Sequence, residues 1–151
     1  MSAREGSTVT FRRVPGDARP RALLLYARKL QREVAKGRPF DCLIAGDAEL
    51  RRLNARFRGQ DRATDVLSFP SGGRGGSGGL GDIAISVARA RAQGRRWGHS
   101  TETEIRVLML HGVLHLAGMD HETGGGGMAR AEKRWRARLG LPGGLLERVG
   151  R

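Results

Sequence analysis

The stretch TETEIRVLMLHGVLHLAG, residues 101–118, constrains the fold more than any other part of this chain. Ile105, Leu108, Met109, Val113 and Leu116 recur at helical spacing and make it the most hydrophobic helix the sequence can form. Thr101 and Glu104 read as a T-x-x-E capping box at its start, and Gly118 reads as its end. A helix this apolar has to be surrounded, so it is predicted to be central, with the rest of the chain packed around it. At 151 residues the chain suits a single domain, 1–151, long enough to bury such a core.

The flanking segments supply the packing partners. Residues 8–14, TVTFRRV, alternate as a strand does. Pro20 opens a helix whose Leu23, Ala27, Leu30 and Val34 share one face, and which stops before Gly37. FDCLIA (40–45) reads as a buried strand. Asp47 is the predicted N-cap of a helix carrying Leu50, Leu53 and Phe57 and ending at Gly59. DVLSF (65–69) reads as a strand stopped by Pro70, and LGDIAIS (80–86) as the next one. Between them SGGRGGSGG (71–79) holds six Gly in nine residues, a flexible, hairpin-like connection. It contains a formal G-x-G-x-x-G at Gly73, Gly75 and Gly78. A dinucleotide fingerprint must open a helix, whereas a strand follows here, so no nucleotide cofactor is expected. Ser86 is the predicted cap of a helix over VARARAQGRR. A last helix, MARAEKRWRARL, runs from the Gly124–Gly127 break to Gly140, with a loose tail over 141–151. Strands interleaved with helices predict one α/β or α+β domain.

Composition narrows the function. Lys+Arg total 28 against 15 Asp+Glu, a formal net charge of +13. All the basic residues except Lys29, Lys36 and Lys133 are Arg. A GC-rich genome explains Arg in place of Lys but not the surplus of charge, which points to a polyanion such as RNA or the ribosome. A membrane surface is not the expected partner, because no basic helix carries a strong aromatic face. The single cysteine, Cys42, excludes an intramolecular disulfide and a Cys-based zinc cluster. No apolar run approaches the ~20 residues of a membrane span. The N-terminal MSAREGSTVTFRR lacks the apolar stretch of a secretory signal, so a soluble, cytoplasmic protein is expected.

Chemistry concentrates in HGVLHLAGMDH, where three of the four histidines fall within eleven residues. His111 and His115 are four apart and share one helix face, one turn apart. Gly118 lets the chain take positive φ and turn back, returning His121 toward the same point. Three neutral imidazoles suit one Zn²⁺ per chain, with a fourth position open to water, which is the pattern of a catalytic rather than a structural site. Asp120 and Glu122 are either supporting partners or surface acids, and His99 is too remote in sequence to assign. Metzincin proteases share this spacing but carry Glu after the first His, where this chain has Gly112. Without that carboxylate the metal keeps its full positive charge, which favours an anionic phosphodiester over a neutral peptide.

HGVLHLAGMDH resembles the motif of the YbeY-type rRNA maturation factors, single-strand-specific endoribonucleases of bacteria. NARFRGQDRATDVLSFP (54–70) and LGDIAIS (80–86) resemble two further segments of that family, in the family's order, so the resemblance spans roughly residues 40–122. The Gly-rich 71–79 connection departs from the pattern. The resemblance implies an α+β fold, a small mixed sheet packed with helices, one of which bears the metal. It implies zinc on His111, His115 and His121, and it places Arg58 in the active cleft, where a guanidinium clamps phosphate and offsets developing charge. Asp65 and Asp82 lie in the matching segments, either as residues that orient a ligand or water or as turn and cap residues. The implied role is maturation of the 16S rRNA 3′ end and ribosome quality control, with pre-16S rRNA, the small ribosomal subunit and its associated proteins as partners. Two alternative readings are a ribosome-assembly factor with purely structural zinc and a metzincin-like metalloprotease.

Overall fold

The computed structural model describes residues 6–13, 15–71, 79–118 and 126–142. Alternating segments form β1 (Thr8–Phe11), β2 (Phe40–Ala45), β3 (Val66–Pro70) and β4 (Gly81–Ser86). Periodic segments form α1 (Pro20–Glu33), α2 (Asp47–Arg58), α3 (Val87–Trp97), α4 (Thr101–Leu116) and α5 (Gly127–Leu139). The strands make one mixed sheet in the order β1-β2-β4-β3. β1, β2 and β4 run parallel, and β3 lies antiparallel on β4 with Ser68 opposite Ile83. β3 and β4 are consecutive in the chain, so the Gly-rich stretch does join two antiparallel neighbours; its residues 72–78 lie outside the described ones.

Strand side chains alternate between two packing layers. Phe40, Cys42, Ile44, Ile83 and Ile85 point into the main core with Leu23, Ala27 and Leu30 of α1 and Ile105, Leu108, Met109 and Val113 of α4. On the opposite face Ala45, Leu67 and Ala84 pack with Leu50 of α2, and Leu43, Leu53 and Phe69 border them. Helix α4 touches α1, α3, α5, β3 and β4, the central position its composition predicted. Eleven of its sixteen residues are buried, the polar Thr101, Glu102 and Glu104 among them, while His111 is half-buried and His115 exposed at its other end. Truncating one of its fully buried leucines, such as Leu114, to Ala costs about 2–5 kcal/mol.

Several local expectations change. β1 ends at Phe11 rather than running to residue 14, although the Arg12 N–H still donates to the Ile44 carbonyl (2.9 Å). The N-cap of α2 is Gly46, one residue before Asp47. The Asp47 carboxylate instead accepts from the Ser86 hydroxyl (2.6 Å), which ties α2 to the cap of α3. Ser86 caps α3 as expected, accepting from the Arg89 N–H (3.2 Å). The capping box at Thr101 and Glu104 does not form. Ser100 is the N-cap and accepts from the Thr103 N–H (3.0 Å). Thr101 donates its hydroxyl to Asp17 (2.5 Å), and Glu104 turns inward to His99 Nε2 (2.6 Å). The reason is burial: Glu104 is fully enclosed, and its carboxylate takes the His99 ring inside the protein instead of reaching back to the N-cap N–H. The expected tail beyond residue 142 lies outside the described residues, among which no helix is long and apolar enough to cross a membrane.

Candidate metal centre and adjoining cleft

His111 and His115 stand on the last turns of α4, where their rings lie 6.1 Å apart between centroids and 15° from parallel. Zn–N bonds of ~2.0–2.1 Å in a tetrahedral shell put two imidazole centroids about 5 Å apart, close to the spacing of this pair. Ala117 caps the helix and Gly118 follows at φ +82°, a left-handed conformation that turns the chain off the helix axis. His121, Asp120 and Glu122 lie outside the described residues. Among the described residues no set of three His, Cys, Asp or Glu closes into a metal cage, so the two α4 histidines make up the described donor set.

Sequence analysis missed one residue at this centre. Glu132 of α5, 2% exposed, places Oε2 2.7 Å from His111 Nδ1. Its sequence signal was available: Glu132 is the lone acid in GMARAEKRWRARL, among five basic residues. His99 is the histidine the structure keeps apart, locked against Glu104 at the start of α4.

Gly112, the position of the missing carboxylate, faces the sheet. A Cβ there meets the Ile83 side chain at 3.0, 3.1 and 3.2 Å, so a longer side chain has no room at this crossing of α4 over β4. Ser68 on β3 reaches the same spot, with Oγ 3.5 Å from the Gly112 carbonyl.

Arg58 ends α2 beside β3. The Ser86 N–H donates to Asp65 O (2.9 Å) and the Ser71 N–H to Leu80 O (3.4 Å), so odd-numbered β3 residues bond to β4 and even-numbered ones face the free edge. Arg58 Nη2 takes the Ser68 carbonyl on that edge (2.6 Å), with its guanidinium 5.8 Å from the Phe69 ring centre. Arg58 and the His111 turn therefore meet the same residue, Ser68, from opposite sides. Arg58 also lines a groove of ≈ 910 Å³ on the α2 face of the sheet, with Arg12, Asp41, Phe57 and Asp82 on its walls. Asp82 is thus in the groove, opposite Asp41 in register. Asp65 serves the turn instead, accepting from the Val66 N–H (2.8 Å) and from Gln93 Nε2 (3.1 Å). Asn54 holds the same turn, donating Nδ2 to the Arg62 carbonyl (3.0 Å).

With this geometry in view, the profile of the family described as endoribonuclease YbeY matches residues 21–139. The chain belongs to the endoribonuclease YbeY family. It is similar to the endoribonuclease YbeY of Solibacter usitatus, 66% identical over 149 residues and covering 99% of each chain. It is also similar to that of Koribacter versatilis, 44% identical over 128 residues, 85% of this chain and 82% of the relative. A protein of Thermotoga maritima solved in solution shares the mixed α+β fold, with a TM-score of 0.58 and 27% identity over 87% of this chain and 92% of that one. The YbeY match extends past the span of the sequence motifs to include α1 and α5, and so takes in Glu132.

Proposed function

We propose that this chain is a zinc-dependent, single-strand-specific endoribonuclease that acts in the cytoplasm on pre-16S rRNA, in 3′-end maturation and ribosome quality control, with the small subunit and its associated proteins as partners. The observation that carries this reading is the parallel pair His111 and His115 beside Gly112, in a chain of the endoribonuclease YbeY family. His111, His115 and His121 would hold the ion. When bound, zinc supplies a Lewis acid for a phosphate oxygen and brings the pKa of a bound water toward ~7. Gly112 puts no carboxylate at the position after the first histidine, where metzincins carry theirs, and the nearby Glu132 carboxylate is engaged by His111 Nδ1 (2.7 Å). Arg58, fixed by the Ser68 carbonyl and flanked by Phe69, presents a guanidinium to an anionic strand along the β3 edge. A net charge of +13 collects RNA in a salt-dependent way.

The test is elemental analysis followed by cleavage of a defined pre-16S fragment and of casein, each with and without a chelator. One zinc per chain, chelator-sensitive RNA cleavage, inert casein and loss of both zinc and cleavage in His111→Ala are expected. A His111→Ala protein that cuts RNA at the wild-type rate refutes the proposal. Full zinc occupancy without any RNA cleavage would favour an assembly factor with structural zinc instead.

A further inference from the structure

The Glu132 carboxylate sits 2.7 Å from His111 Nδ1 and is 2% exposed, on a helix that otherwise offers only basic charge. An ionised carboxylate only accepts hydrogen bonds, so the Nδ1 facing it carries the proton. In a neutral imidazole the lone pair then belongs to Nε2. We infer that Glu132 is a positioning residue: it fixes His111 as the Nδ1–H tautomer, aims Nε2 away from α5, and raises the donor strength of that nitrogen toward a divalent cation.

Burial supports this role. A carboxylate enclosed without a donor costs several kcal/mol, and an apolar side chain in its place often does as well for stability. Its partner, His111, keeps 17% of its side chain exposed, so the pair lies at the rim of the core, where a ligand reaches the ring from the far side. α5 follows the segment that carries His121, so the same helix that completes the YbeY match also delivers the carboxylate to the first histidine. Carboxylate partners of metal-bound histidines tune affinity by about 10–100-fold. The inference rests on the metal reading of His111, and its test separates the two.

The experiment compares wild type and Glu132→Gln in the metal-free state by ¹⁵N–¹H correlation of the histidine rings, and in zinc competition against a chromophoric chelator. Wild-type His111 is expected as the Nδ1–H tautomer. The variant keeps an acceptor oxygen but loses the charge, and is expected to bind zinc about 10–100-fold more weakly, at unchanged stoichiometry. Zinc affinity equal to wild type overturns the inference. So does an Nε2–H ring in the wild type, which needs no variant and decides the matter even if Glu132→Gln does not fold. Absence of zinc binding by the wild type would instead sink the metal reading, while the ring tautomers still report on Glu132.

Discussion

Gly112→Ala opposes two effects whose sizes can be worked out from the structure. In a helix interior Ala is favoured over Gly by about 0.8–1.0 kcal/mol. Against that, the new Cβ lies 3.0–3.2 Å from three Ile83 side-chain atoms, closer than core carbons settle. Ile83 is 1% exposed and β-branched, so it has neither space nor a second easy rotamer to retreat into. Overpacking of this kind costs about 1–3 kcal/mol. The net expectation is a destabilisation of about 1 kcal/mol, or about 2–4 °C in Tm for a chain of this length. Urea unfolding measures it, and a double-mutant cycle with Ile83→Val identifies its source. Ile83→Val removes Cδ1, the nearest of the three atoms, so Gly112→Ala should cost less in that background, with a coupling of at least about 0.5 kcal/mol. A Gly112→Ala protein stabilised by the full helical gain, or a coupling near zero, refutes the view that α4 is seated on β4 through this glycine.

Three further outcomes follow from named contacts. Arg58→Ala should keep zinc and lose most RNA cleavage, with stability lowered by about 1 kcal/mol for the one part-buried hydrogen bond to the Ser68 carbonyl; wild-type turnover would remove Arg58 from the site. Arg19 donates two guanidinium N–H groups and its backbone N–H to Glu102, and Arg106 adds a fourth donor; against the opposing pull of burial, these hold the Glu102 carboxyl down at about 2. A depressed carboxylate stabilises the fold above its unfolded pKa of about 4.3 and loses that contribution as pH falls toward 2. Thermal melts of Arg19→Ala and wild type should therefore differ most near neutral pH and converge between about pH 4 and 2, and a gap that widens on acidification would contradict the assignment. Gly81→Ala should fail to give soluble folded protein: its φ of +144° suits glycine, and a Cβ there would overlap the Phe69 carbonyl oxygen; a wild-type melt would show that β3 and β4 approach less closely than described.

Element order and the central helix were legible because hydrophobic period is set by burial, and both survive a misplaced boundary. Caps were not legible in the same way. Gly46 and Asp47, and Ser100 and Thr101, are adjacent candidates, and tertiary partners chose between them: Ser86 took Asp47, Asp17 took Thr101, and His99 took Glu104. The pairing of His111 with His115 could be read from a four-residue spacing, since one turn of helix enforces it. Glu132 could not be assigned that way, because its contact crosses between two helices. Arg58 stood out only through family resemblance. Its partner is the Ser68 backbone oxygen, which any residue at position 68 would supply, so no sequence pattern announces it.

The three sequence segments that carry the resemblance form one packing unit. Gly81, from LGDIAIS, lies so close to β3 that a Cβ would strike Phe69, and the same Cβ would come within 3.1 Å of Leu116 on α4. Gly112, from HGVLHLAGMDH, rests on Ile83 of LGDIAIS and meets the Ser68 hydroxyl of DVLSFP. Gly81 thus lets β3 and β4 approach by backbone, and Gly112 lets the histidine helix rest on the Ile83 side chain. Arg58 and the Gly112 carbonyl next to His111 both hold Ser68, one at its carbonyl and the other at its hydroxyl. A loop could not hold that relation, since its backbone would relax when either partner moved. An edge strand bonded to β4 along one side and clamped by α4 and Arg58 on the others has no such freedom. The sheet therefore does more than support the helix: through Ser68 it sets the position of the Arg58 guanidinium relative to the helix that carries the imidazole pair.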